Sequence, residues 1–284
     1  MTHDEPELLY HYTNTSGLLG LVQNQDFWAT DARYLNDSSE VSYASAVTQN
    51  YAERLMLDLV MKAAKDRQEE VENALDPLRY KELERIGYLA KGLREGQEIG
   101  YHPHVVSFSA NGDQLSQWRG YGHGTEGYAL GFSRNLLDRT VAEKPDLSLL
   151  RVTYGIDEPT WERLRDDIWG YAFNGKDAAD SYFKKTLLPL LASIKDPGFR
   201  EEKEWRLLSI ELDPAKPRFR VNETGMLIPY VEIPWPTSSL REIKLGPGIN
   251  TELRKTAVQE LLFRSLKSDA MQVKITTSEI PFRR

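Results

Sequence analysis

The stretch His104–Phe132, HVVSFSANGDQLSQWRGYGHGTEGYALGF, sets a polar and aromatic insert between two runs of strand character. Val105 to Ser109 and Tyr128 to Phe132 carry branched or aromatic residues bounded by Gly, Asn and Asp, the pattern of β-strands. Between them, residues 113–122 (DQLSQWRGYG) offer a core only Leu115, Trp118 and Tyr121, which share one face of a short helical turn. Arg119, Gln114, Gln117 and the serines face elsewhere, and Gly120, Gly122, Gly124 and Gly127 follow, so a chain backbone here can approach a ligand closely. The composition suits a groove for a flat, polar, charged ligand.

Working outward, Leu8–Thr13 reads as a first strand, then a short helix through Leu18, Leu19, Leu21 and Val22 with Thr15 or Ser16 as N-cap, then a second strand over Asp26–Thr30. Helical spacing at Leu55, Leu59 and Val60 and at Leu83, Ile86 and Leu89 makes 38–95 a helical insertion, a hairpin broken near Pro77. Leu149–Tyr154 is a strand candidate, and 157–196 is a second, mostly helical insertion. In the last third Trp205–Leu212, Phe219–Asn222, Leu227–Ile233 and Arg241–Leu245 have strand character. Asn250–Ser268 is an amphipathic helix with apolar positions Leu253, Ala257, Leu261 and Leu262, and Val273–Ile280 closes as a strand. Strands at both ends with helices between predict one α+β domain over 1–284, its sheet assembled from distant segments.

With 284 residues and a net charge of −7, the chain has ample core material and no bulk attraction for nucleic acid, leaving only a local basic groove for that role. The absence of Cys excludes a disulfide scaffold, thiolate zinc sites and a cysteine nucleophile, and fits a reducing cytoplasm. The N-terminus MTHDEPELLYHYT is acidic and unlike a signal peptide, and no run approaches the roughly 20 apolar residues of a membrane span. A soluble, cytoplasmic protein without membrane association is the expectation.

Three constellations can carry chemistry. In Leu9-Tyr10-His11-Tyr12-Thr13, strand alternation puts His11 and Thr13 on one face and both tyrosines on the other. A lone histidine is equally a core residue bonded to backbone. Asn36, Asp37 and Glu40 read as helix initiation, with Asp37 or Ser38 as N-cap; as oxygen ligands to Mg²⁺ they lack a matching acidic pair, and no metal is expected. In Phe199–Leu208, FREEKEWRLL, an extended chain would place Glu202 and Glu204 on one face, where repulsion raises the pKa of at least one. Such a pair can orient a hydroxyl and stabilise positive charge on a sugar. Arg206 falls on the same side, so a charged edge or a structural ion pair explains the run as well.

Taken together, a His in the first strand, Ser107-Phe108-Ser109 before an aromatic helix, and Glu-x-Glu entering a late strand resemble the ADP-ribosyltransferase fold. The motifs LYHYT, WATDARYLNDSSE, SFS with DQLSQWRGYG, GYALGF, GFREEKEWRL, LGP at 245–247 and SEIPFR are similar to those of a bacterial family, domain of unknown function 2971, and span almost the whole chain. The first resemblance implies a split, mixed or antiparallel sheet whose cleft binds NAD as substrate. It implies that His11 holds a ribose, with Tyr12 and Thr13 beside it, that Ser107 and Ser109 line the cleft, and that Glu204 is catalytic with Glu202 as accessory acid. Trp118 or Tyr121 stands at the aromatic position where that fold has a tyrosine, so the stacking role is divided between them. Arg119, or else Arg33, suits the pyrophosphate as a planar fork donor.

The implied activity is ADP-ribosyl transfer to a macromolecular acceptor, protein or nucleic acid, or simple NAD hydrolysis, as in a toxin or phage-defence effector. The two helical insertions would shape target recognition. The alternatives are a nucleotide- or protein-binding module without turnover, and a Mg²⁺-dependent nuclease using Asp37, Glu40 and the Glu-x-Glu pair.

Overall fold

The computed structural model describes residues 5–35, 88, 102–122, 127–155, 162, 188–211, 217–222 and 225–281. Strand β1 (Leu8–Thr13) leads into helix α1 (Thr15–Asn24) and strand β2 (Asp26–Asp31). The helix starts one residue before the predicted caps: Asn14 is the N-cap, its side chain accepting from the Gly17 amide at 2.9 Å, and Gln25 ends it in the left-handed region at φ 60°. Leu18, Leu21 and Val22 form its buried stripe.

Next come β3 (His102–Ser109), α2 (Leu115–Tyr121), β4 (Tyr128–Ser133) and α3 (Arg134–Ala142). Helix α3 has no counterpart in the sequence prediction; it carries an Arg134–Asp138 ion pair one turn apart at 2.9 Å and buries Leu137. The single strand predicted over 149–154 is two: β5 (Leu147–Arg151) and β6 (Thr153–Tyr154), which pairs in parallel with β7 (Ile194–Lys195) in a separate two-stranded sheet. The chain changes sheets at Val152, whose amide bonds the Glu204 carbonyl while the next amide, Thr153, bonds Ser193. Of the second insertion, helix α4 (Leu188–Ala192) is as predicted, and β7 follows it as strand. Apart from Tyr88, the 38–95 segment lies outside the described residues, as do Asn36, Asp37, Ser38 and Glu40.

The last third holds β8 (Glu204–Glu211), β9 (Arg218–Val221), β10 (Leu227–Pro234), β11 (Leu240–Leu245), helix α5 (Thr251–Leu266) and β12 (Lys274–Thr277). Helix α5 bears out part of the predicted stripe: Leu262 is buried and Leu261 packs against the core. Val258, Leu262 and Leu266, four apart, are buried, whereas Leu253 is 72% exposed and Ala257 is exposed. Leu253 sits in the first turn, beyond the edge of the core that the later turns cover.

Ten strands form one mixed sheet in the order β12-β11-β4-β1-β3-β2-β10-β9, with β8 on β3 and β5 on β8. The β11–β12 pair is parallel and the other pairs in this sheet are antiparallel. Its distinctive feature is a fork at β3. One edge of β3 pairs with β8 over all eight residues. The Ala110 amide bonds the Lys203 carbonyl on that side, so by antiparallel alternation the odd-numbered residues of β3 turn their backbone groups to the opposite edge. There β1 meets β3 at Tyr10–Ser109, β2 meets it at Thr30–Val105, and Ser107 lies between, where the two strands part.

The core packs Leu9, Phe27, Phe108, Leu130, Phe132, Leu207, Ile233, Trp235 and Ile243 with α1 and α5. Phe27, Phe108, Phe132 and Trp235 meet edge to face or tilted, with centroids 4.8 to 6.2 Å apart. Among the described residues no helix is long and apolar enough to cross a membrane.

Candidate active site at the sheet fork

At the fork the His11 ring replaces a ladder bond. Its Nδ1 donates to the Ser107 carbonyl at 2.9 Å, which leaves Nε2 as the acceptor of the neutral ring, and Phe108 meets it edge on at 5.9 Å. Burial, reinforced by the nearby Arg220 charge, pushes its pKa down to about 4 against the favourable Ser107 bond. His11 is therefore uncharged at neutral pH. Both sequence-level readings of it meet here, since it satisfies a backbone carbonyl and still presents a ring nitrogen at the fork.

The three motifs converge on one transverse row. Tyr10 pairs with Ser109 and Ser109 with Glu204, while on the other side Tyr10 pairs with Gly131 and Gly131 with Glu242. The Tyr10 ring lies where side chains at Gly131 and Gly112 would be, as Cβ atoms there would come within 2.8 and 2.4 Å of its Cε1. That path lets its hydroxyl donate to Glu242 Oε2 at 2.7 Å. Burial and the Glu242 bond push the Tyr10 pKa up; Glu242, although burial opposes it, is held below the ordinary carboxylate range by the Thr276 and Tyr10 hydroxyls.

Glu204 is only 4% exposed and both its oxygens are engaged. Arg206 Nε donates to Oε1 at 2.8 Å, Arg206 Nη2 to Oε2 at 3.1 Å and Lys195 Nζ to Oε2 at 2.9 Å. Lys195 also donates to Glu202 Oε2 at 2.6 Å, and Arg206 Nη1 to the Ala192 carbonyl at 2.7 Å. Burial would raise the Glu204 pKa, but the Arg206 charge and hydrogen bond, followed by Lys195, hold it below the ordinary range. The predicted carboxylate repulsion is therefore overturned: two cations neutralise two anions. Nor is the pair on one extended chain, because Glu202 ends a 3-10 turn (Pro197–Glu202) and Lys203 at φ 46° reverses the path before Glu204 begins β8. Glu202 keeps 18% of its side chain exposed. Tyr154 caps the cluster by accepting from the Glu204 amide at 2.6 Å, and burial pushes its pKa up to about 12.

The remaining candidates divide. Ser107 is partly exposed, and its hydroxyl has no hydrogen-bond partner among the described residues. Ser109 is buried, its hydroxyl donating to the Glu202 carbonyl at 2.7 Å and accepting from the Asn111 amide at 3.0 Å, so it ties β3 to the acidic turn. Tyr12 is also buried; its hydroxyl donates to the Asn111 carbonyl at 2.8 Å and accepts from the Gln114 amide at 3.1 Å. Thr13 packs against Gly17, where a Cβ would lie 1.9 Å from its Oγ1.

The reading of 113–122 as mainly a ligand groove needs correction. Trp118 is 4% exposed, packs at 4.7 Å on Tyr12 and donates from Nε1 to Asp113 Oδ1 at 2.8 Å. Tyr121 and Ile280 pack beside it. Asp113 also accepts from the Ser278 hydroxyl at 2.6 Å and the Glu279 amide at 2.8 Å. The insert is a packing hub that receives residues 278–280, an interaction that joins positions 165 apart and leaves no periodic signal in sequence. Arg119 is exposed on α2, and Arg33 forms a fork with Asp31, donating from Nε to Oδ1 at 3.0 Å and from Nη2 to Oδ2 at 2.6 Å.

The residue that sequence reasoning missed is Arg220, whose Nη2 donates to Thr30 Oγ1 at 2.7 Å. Its only sequence signal is the alternation of Arg218 and Arg220 on one strand face. Among the described residues no group of three or more His, Cys, Asp or Glu gathers as metal ligands.

Residues 117–207 match a family described as a protein of unknown function, DUF2971, in agreement with the motifs quoted from the sequence. The matched stretch runs from α2 to the middle of β8 and includes Trp118, Glu202 and Glu204. No curated protein and no solved structure matches the chain.

Proposed function

We propose, from the resemblance of the His, Ser-x-Ser and Glu-x-Glu motifs to the ADP-ribosyltransferase fold together with the fork geometry, that the chain is an NAD-consuming enzyme of that type. The observation that carries the reading is the convergence of Tyr10, Ser109 and Glu204 on one row across three strands, with neutral His11 at the adjoining fork. That fold-level analogy sets the reaction class.

In the reaction the bond between the ribose C1′ and the nicotinamide nitrogen breaks, and the bonding pair leaves with neutral nicotinamide. The oxocarbenium-like ribose is captured by water or by an acceptor nucleophile, which gives up a proton. His11 Nε2 is suited to accept from a ribose hydroxyl. Of the two glutamates, partly exposed Glu202 is the better ribose-facing carboxylate, and a fixed negative charge there stabilises the developing cation. Glu204 acts through Lys195 and Arg206 as a positioning residue.

A second reading, a nucleotide-binding module without turnover, is favoured by the engagement of both Glu204 oxygens. Nicotinamide release from NAD, measured with and without cell lysate as acceptor source, separates the two. Under the enzymatic reading Glu202→Gln lowers kcat by about 100-fold or more with KM held. Glu204→Gln lowers kcat less and shifts the pH profile. Release stimulated by lysate identifies a transferase. Binding of NAD by folded wild-type protein with no release selects the module.

A further inference from the structure

We infer that Arg220 and Thr30 form an anion seat beside the fork that takes the pyrophosphate of a dinucleotide. The inference rests on the NAD reading and replaces Arg119 and Arg33 in the role that the sequence resemblance implied for them.

The geometry starts from register. Arg218 pairs with Tyr230 and Tyr230 with Thr30, so Arg218, Arg220, Tyr230 and Thr30 share one face of β9, β10 and β2. Arg218 spends its charge on Glu232 at 2.9 Å. Arg220 instead reaches across β10 to the Thr30 hydroxyl, its one hydrogen bond among the described residues, and pairs with no carboxylate there. Thr30 pairs with Val105, two residues from Ser107, whose carbonyl holds His11 and whose hydroxyl has no partner among the described residues. Register and hydrogen bonds thus link the guanidinium on β9 to the ring on β1 through β10, β2 and β3.

Arg220 is exposed on this face, and partial desolvation by the surrounding protein lowers its pKa. A planar cation without a counter-carboxylate, oriented by a neighbouring hydroxyl, is matched by a phosphate group, which accepts two parallel donors. Ser107, two residues from Val105 on the Thr30 face, offers a hydroxyl free among the described residues, and its carbonyl holds the His11 ring, which feels the Arg220 charge. Arg33 is excluded by its fork with Asp31, and Arg119 lies on α2, away from the β9–β10–β2 register that orients Arg220.

Calorimetric titration of the full chain with NAD, ADP-ribose, inorganic pyrophosphate and adenosine tests the seat, with folding of each variant checked by circular dichroism. Arg220→Gln is expected to weaken ADP-ribose and pyrophosphate by at least about tenfold, the value of a charge-assisted hydrogen bond, and to leave adenosine unaffected. Thr30→Val, which keeps the cation and removes its orienting hydroxyl, is expected to weaken the same two ligands by a smaller factor. Equal NAD binding by wild type and Arg220→Gln overturns the seat and leaves the NAD reading standing, as does a loss carried by Arg119→Gln instead. Pyrophosphate binding that Arg220→Gln removes, without NAD or ADP-ribose binding, supports the anion seat and sinks the NAD reading. No binding of any of the four by folded wild-type protein overturns both.

Discussion

His11 couples the fork to pH. Its ring takes a proton near pH 6.5 in the unfolded chain but only at about 4 in the fold, where burial, aided by Arg220, opposes the charge. Above pH 6.5 the ring is neutral in both states. Between 6.5 and 4 the unfolded chain binds a proton that the fold refuses, so stability falls with pH by up to about 1.4 kcal/mol per unit; below 4 the loss is complete. Urea unfolding at pH 5 and pH 7 should show this drop in wild type and a flatter dependence in His11→Asn. The same drop in both proteins would remove His11 as its source.

Two glycines separate packing from ligand approach. A methyl at Gly131 would lie 2.8 Å from the Tyr10 ring, whereas at Gly120 it would meet nothing within 4 Å. Gly131→Ala is expected to destabilise by about 1–3 kcal/mol through displacement of Tyr10 from Glu242. Gly120→Ala is expected to stabilise α2 by about 0.5 kcal/mol. Thermal melts check both, and a stabilised Gly120→Ala that loses nucleotide binding would restore a ligand role to the insert.

Between elements, the cluster of Lys195, Glu202, Glu204 and Arg206 joins β7, the 3-10 turn and β8. Arg206→Leu leaves Glu204 buried with one cation fewer, and the loss should reach about 3–5 kcal/mol. Replacing Glu204 and Arg206 together by Leu should recover most of it, because the Lys195–Glu202 pair survives. The depressed Glu204 pKa makes the wild-type contribution full above the ordinary carboxylate range and lost as pH falls through the lowered value. Acid unfolding should show that term in wild type and not in the double variant. An additive double variant would mean that the two residues are not coupled.

Across the fold, the last described segment closes over the insert through Asp113, with Ile280 against the Trp118 cluster. Removing residues 278–284 should accelerate amide exchange in α2 and β12 while leaving the β3–β8 ladder protected. Uniform loss of protection instead would show that this segment supports the entire sheet.

Many strands and helices were legible in the sequence because branched and aromatic runs bounded by Gly and Pro, and helical spacing, are local signals; β1, β2, β3, β4, β8, β10 and α5 lie where their periodicity places them, whereas α3 and the split of β5 from β6 left no such signal. Local pattern also gave the possible Glu204–Arg206 pair, since two residues apart on a strand share a face. It misplaced only the first half of the α5 stripe, Leu253 and Ala257, where the extent of the core and not the helix decides what is buried. The roles of Trp118, Glu204 and Arg220 depend on partners that no strand or helix period brings to them: distant Ile280 and Thr30, and Lys195 from a separate sheet. Burial and electrostatic partnership are properties of strand register and packing, so one residue type reads alike as ligand or as core until β1, β2 and β8 are placed around β3, and that placement was decided by tertiary structure alone.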